Sequence, residues 1–172
     1  LSTAVAYQLR RKLPLADRPA TDLGNEALVE ALQGKRQVAV HAHRVRDIRT
    51  ALRIAEEFAL NLVILGGAEA YLIRDELAAA KIPVLVGPVM LRTWNSAGEA
   101  GNASFENAAL LAEAGVKVGV MSGYESYVPK VRLVLWEAAI AGAYGLGFEG
   151  ALRAVTLTNA EILGVDGSVG SL

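Results

Sequence analysis

Short uninterrupted apolar runs alternate along this chain with stretches whose apolar residues recur every three or four positions. The runs are Gln37 to His41, Leu62 to Leu65, Pro83 to Val86 and Val116 to Met121. Three of them end at glycine-containing pairs, Gly66-Gly67, Gly87-Pro88 and Ser122-Gly123, while the first gives way to the polar run His41 to Asp47. Between the first two runs, Asp47 to Ala59 places Ile48, Ala51, Leu52, Ala55 and Phe58 on one helical face, with Arg49, Arg53, Glu56 and Glu57 elsewhere. Ala68 to Ala80 offers Tyr71, Ile73 and Leu77 for packing, and Phe105 to Ala114 is closed by Gly115. Apolar strands separated by single amphipathic helices predict a parallel sheet buried on both faces, with right-handed crossovers.

The flanks read as helical. Leu1 to Lys12 carries Val5 and Leu9 at helical spacing, and Pro14 to Asp22 is a polar linker with two prolines. Asp22 is placed to cap a helix over Asn25 to Leu32, which Gly34 ends. After Gly123 the pattern predicts helices over Val131 to Ala141, Phe148 to Val155 and Thr158 to Leu163, the last with Thr158 and Glu161 as a capping box. The longest apolar run, Val131 to Tyr144, is interrupted by Arg132, Glu137 and Gly142. It falls short of the ~20 residues of a membrane span and reads as a buried helix. Four βα units do not close an eight-stranded barrel. The pattern therefore leaves two architectures open, a small open α/β sheet and half of a barrel.

Composition narrows the function classes. The 172 residues suffice for one domain with a sizeable core, and 53% of them are hydrophobic. The formal net charge is −1 and the basic residues are scattered, which predicts neither a nucleic-acid surface nor a membrane association. Cysteine is absent, so disulfides, thiolate metal sites and thiol nucleophiles are excluded, while the compartment stays open. The chain opens on Leu1 without a signal peptide and stops at Gly170-Ser171-Leu172, and both ends read as cut from something longer.

Both histidines, His41 and His43, stand at the end of the first strand, just before an amphipathic helix. An α/β barrel builds its site at such strand ends. Residues two apart on a strand share a face, so both imidazoles can face the barrel mouth. Two imidazoles without a carboxylate make a weak metal site. Glu69 and Glu125 are the carboxylates nearest in sequence to the later strand ends, and Glu69 at a helix start also serves the helix dipole. Gly66-Gly67 reads either as a tight turn or as a cradle for an anion. Trp94, in the long loop Val89 to Asn102, either covers a pocket or anchors its loop. Ser122 has no base in the sequence that would activate it as a nucleophile.

The stretch "VAVHAHRVRDIRTALRIAEEFALNLVILGGAEAYLIRDELAAAKIPVLVGP", with "LLAEAGVKVGV" and the closing "TLTNAEILGVDGSVGSL", resembles the second half of metal-dependent amidohydrolases, the imidazolonepropionase-like branch in particular. The resemblance runs from about Asn25 to Leu172. It implies part of a TIM (β/α)8 barrel, with the four runs as strands five to eight. Strands one to four, the His-x-His of strand one, the strand-four carboxylate or carbamylated lysine, and the β-sandwich would lie outside this sequence. His41 would be the strand-five metal ligand. The strand-six histidine would fall at Gly66, and the strand-eight aspartate, ligand and general base, at Gly123.

Amide hydrolysis through a metal needs about three protein ligands and a base. Glycine supplies neither. The resemblance thus implies an amidohydrolase-like hydrolase of C–N bonds in small amides or cyclic amides, degenerate at its zinc or other divalent-metal site, in effect a pseudoenzyme. His43, Arg44, Trp94 and Tyr124 are its candidate contacts to a small-molecule ligand, with Tyr124 also able to fill vacated metal space. The competing readings are a noncatalytic binding or scaffold module on a barrel remnant, and an open sheet that binds a phosphorylated ligand at its glycine turns. Half a barrel leaves strand edges uncovered, which predicts an oligomer or a companion polypeptide that completes it.

Overall fold

The apolar runs become strands because each is bounded by residues that end a strand. The structure, a computed structural model, describes residues 1–90, 101–123 and 131–171. Within them β1 (Val38–Ala42), β2 (Leu62–Gly66), β3 (Val84–Val86) and β4 (Val118–Val120) form one sheet in the order β1-β2-β3-β4. The pairs β2–β3 and β3–β4 are parallel, with Leu65 opposite Leu85 and Leu85 opposite Gly119. Gly66 and Gly67, at φ +91° and +56°, turn the chain out of β2 through backbone that L side chains rarely adopt.

The chain divides into two compact units, Leu1–Val38 with Leu52–Leu62, and Ala39–Ala51 with Val63–Leu172. In the first, α1 (Ser2–Arg10) and α2 (Leu23–Leu32) bury Ala4, Tyr7 and Val29 together, with Leu32 packed against them. The Tyr7 hydroxyl donates to Glu26 Oε1 at 2.6 Å and accepts from the Asp22 N–H at 3.2 Å. Asp22 caps α2 as the sequence predicts, its carboxylate accepting the Asn25 N–H at 2.9 Å. That bond holds the Asp22 carboxyl below its usual range.

In the second unit, Val63, Leu85 and Ile162 form a core beneath the sheet, with Leu65 and Met121 against it. The α3 helix (Val45–Phe58), which runs through both units, buries Ile48, Ala51 and Ala55, the stripe read from the sequence. The helix expected over Ala68 to Ala80 is instead a 3-10 turn, Ala70–Ile73, followed by α4 (Arg74–Ala79). Its first turn is tightened because the Ala70 N–H bonds back to Gly67 O, and the Tyr71 N–H is taken by the Asn107 side chain. Arg49 and Glu76 pair between α3 and α4, with Arg49 Nε 3.0 Å from Glu76 Oε2, and that bond lowers the Glu76 carboxyl.

Three helical expectations change. α5 (Asn107–Glu113) is shorter than predicted and its first residue, Asn107, is buried. The segment expected to be a buried helix forms a 3-10 turn, Val131–Leu133, and α6 (Val134–Ala141), with Leu135 and Trp136 67% and 68% exposed. Only one side of α6 faces inward, through Glu137, Ala138 and Ala141. By length and composition Val131–Val155 does reach the size of a membrane span, longer than the sequence run suggested. Its backbone leaves helical geometry at Tyr144 and Gly145, before α7 (Gly147–Val155). Finally, α8 (Leu157–Leu163) starts one residue earlier than predicted, with Thr156 at its N-cap position. The capping box does not form. Thr156 Oγ1 donates to Leu152 O, and Glu161 pairs with Lys117 at 3.1 Å.

Candidate functional site

The strand ends are built by β1, β2 and β4 and the turns that leave them. β1 delivers His41 exposed and, one residue past its end, His43 buried at 7% exposure. Their rings meet edge to face, with centroids 4.7 Å apart and planes at 85°. One ring's edge thus meets the other's face, an aromatic packing arrangement. Arg44, half-buried, starts α3 with its backbone, its carbonyl accepting the Asp47 and Ile48 N–H groups. Trp94, Tyr124 and Glu125 lie outside the described residues.

The imidazole of His43 lies on Gly66. A Cβ built on Gly66 would stand 2.6 Å from His43 Cε1 and 3.0 Å from Nδ1, inside the separation real Cβ atoms keep. At the end of β4 the same relation holds between Gly123 and the Pro88 ring. A Cβ on Gly123 would overlap Pro88 Cδ and stand 3.0 Å from its Cγ, and Gly123 itself has φ +83°. The two positions where the resemblance expects metal ligands therefore hold no empty cradle. One is filled by an imidazole and the other by a pyrrolidine ring.

The nearby carboxylates are already engaged in hydrogen bonds. Glu69 Oε2 accepts the Val45 N–H at 2.8 Å, at the first turn of α3, and its Oε1 accepts Asn102 Nδ2 at 2.9 Å. Its own N–H donates to His43 O at 2.9 Å, so Glu69 ties the two strand-end turns together. Glu137, only 3% exposed, accepts the Met90 N–H at 3.0 Å and holds the chain just after Pro88. Among the described residues, no three His, Cys, Asp or Glu side chains are grouped to hold a metal ion. The described residues do not fit a divalent ion.

The glycine turn is tied down by similar bonding. Gly67 N donates to Ala42 O, Glu69 N to His43 O and Ala70 N to Gly67 O. Asn107 completes it, donating from Nδ2 to Gly67 O at 2.8 Å and accepting the Tyr71 N–H at 3.0 Å. The Gly67, Glu69 and Ala70 N–H groups, which an anion at this turn would draw on, thus already have protein acceptors. Sequence reasoning missed Asn107 and the double role of Glu69, because their partners lie 24 to 40 residues away. Glu137 did leave a signal, as a charge inside an apolar run.

No family model matches the chain. It is 34% identical over 112 residues to the amidohydrolase tasK of Hapsidospora irregularis, covering 62% of this chain and 11% of that protein. Its structure is similar to that of an amidohydrolase from Thermotoga maritima, with a TM-score of 0.88 and 37% identity over 99% of this chain and 44% of the other. A prolidase solved with N-methylphosphonate-L-proline shares the fold at TM-score 0.63 and 22% identity, covering 92% of this chain and 41% of that one. The chain thus spans less than half the length of the Thermotoga protein and about a tenth of the curated relative. Its four-stranded parallel sheet matches part of a barrel of this kind, as the resemblance implied.

Proposed function

The chain belongs to the amidohydrolase superfamily, and on that premise we propose that it is a degenerate member whose strand ends no longer build a hydrolytic metal centre. One observation carries the reading. The imidazole of His43 and the ring of Pro88 occupy the space over Gly66 and Gly123, where the family resemblance calls for a histidine and an aspartate. Hydrolysis of a non-peptide C–N bond in a small amide or cyclic amide would need a metal-activated water and a base to take its proton. In this part of the barrel only His41 remains of that set, and no step is derived through an ion it would hold alone.

The exposed His41 at the rim offers a hydrogen-bonding contact to a small-molecule ligand. That supports the noncatalytic binding module as the working form of this degeneracy, in place of residual hydrolysis. With this goes the proposal that strands of a companion polypeptide, or of another copy, cover the outer edges of β1 and β4, each of which is paired on one side among the described residues.

The experiment is an assay of the protein in the presence of added zinc against a panel of N-acyl amino acids and cyclic amides. The reading expects no turnover above the zinc-only control. Hydrolysis that is lost in His41→Ala would overturn it.

A further inference from the structure

We infer that residues 43 and 66 form an exclusive pair in this fold, so that the metal centre cannot be regained by restoring ligand side chains at Gly66 and Gly123. The inference rests on the degenerate reading above and extends it from which side chains are missing to what now prevents their return. At the β2 end the obstacle is a side chain. His43 is 7% exposed, its ring stands where a Cβ at residue 66 would be, and its backbone is fixed by the Glu69 N–H on His43 O. A histidine at 66 would need His43 removed or turned out, and the interior beside it is close-packed.

At the β4 end the obstacle is again a ring over a strained backbone position. Gly123 sits at φ +83°, where an L side chain is strained, with the Pro88 ring against it. Pro88 is held in turn from both sides. A Cβ on the preceding Gly87 would overlap the Met121 carbonyl oxygen, so the two loops touch backbone to backbone there. Beyond it, Glu137 accepts the Met90 N–H. Replacing Pro88 would remove its ring from the space over Gly123 but would leave the positive φ that a side chain at 123 has to adopt. The two ends share one obstacle, since Gly66 at φ +91° and Gly123 at φ +83° each set a ring against a backbone that an L side chain adopts only under strain.

The test uses the full chain and a double-mutant cycle read by thermal unfolding and zinc binding. Gly66→Ala and Gly66→His should each lower the unfolding midpoint, the first by roughly 3–10 °C from a crowded Cβ at positive φ. His43→Ala should also lower it. The double variant Gly66→His with His43→Ala should lose clearly less than the sum of its two singles. Zinc added to Gly66→His with Gly123→Asp should leave no stoichiometric complex. Additive losses across the cycle would overturn the exclusive pair. One tightly bound zinc in the Gly66→His, Gly123→Asp protein at the wild-type midpoint would overturn the claim that the centre is closed. Zinc-dependent hydrolysis by the wild type would instead defeat the functional reading, and the stability cycle would still report on residues 43 and 66.

Discussion

Replacing Asn107 with alanine tests the turn that lays Gly66 beneath His43. The Asn107 side chain is 3% exposed and spans two groups, donating to Gly67 O at 2.8 Å and accepting the Tyr71 N–H at 3.0 Å. In Asn107→Ala the Tyr71 N–H loses its acceptor in a partly buried place, at a cost of about 1–3 kcal/mol. Gly67 O keeps its bond from the Ala70 N–H, so the second loss is nearer ~1 kcal/mol. The space vacated by the amide adds up to about 1 kcal/mol. The sum is roughly 2–5 kcal/mol, which for a chain of this size lowers the unfolding midpoint by roughly 5–15 °C. Differential scanning calorimetry or circular dichroism melting measures it. Asn107→Asp, which keeps the acceptor for Tyr71 but sets a carboxylate against the Gly67 carbonyl, should be destabilised as well. A midpoint for Asn107→Ala within a degree or two of wild type would refute the reasoning, because it would mean that the turn holds without the amide.

Other expectations follow from the same structure. Glu69→Ala should lower the midpoint by about 2–4 °C, the loss of a helix-start acceptor worth ~1 kcal/mol, and leave zinc binding unchanged. A change in zinc affinity instead would show that Glu69 is a ligand. Asp22 has a carboxyl lowered in the folded state by the Asn25 N–H, so its contribution is fully present above the unfolded value near ~4 and is lost as the pH falls through the lower folded value. Asp22→Asn, which keeps an acceptor without the titration, should therefore lose less stability than wild type on going below about pH 4. Size-exclusion chromatography with light scattering should find the chain associated with a second copy or a companion polypeptide, and a stable soluble monomer would count against a covered β1 or β4 edge.

Much of the fold was legible because it rests on local pattern. Strands bounded by glycine pairs, the α3 stripe of Ile48, Ala51 and Ala55, and the Asp22 cap all depend on neighbours a few residues away. The departures come from longer-range contacts. The helix after β2 was shortened by an Asn107 side chain 36 residues downstream. Thr158 lost its capping box because Glu161 found Lys117. The exposed side of α6 could not be read from hydropathy, since apolar composition does not say which face another element covers.

For the site, the sequence offers Gly66, Gly123 and His41 as the positions where the resemblance expects metal ligands, because residue identities at aligned strand ends are visible in a string of letters. What packs over the two glycines was not visible. Tyr124, the sequence candidate for the vacated space, lies outside the described residues, while His43 and Pro88 lie on the two glycines. Nothing in the sequence marks a ring as packed on a glycine 23 or 35 positions away, for that depends on how the strand ends converge.

The most direct measurement is anomalous diffraction at the zinc edge from crystals of the protein soaked in zinc. The account predicts no ordered zinc at the ends of β1, β2 and β4, with the His43 and Pro88 rings still lying on Gly66 and Gly123. A fully occupied ion about 2.1 Å from a His41 nitrogen, completed by carboxylates or further imidazoles, would contradict it.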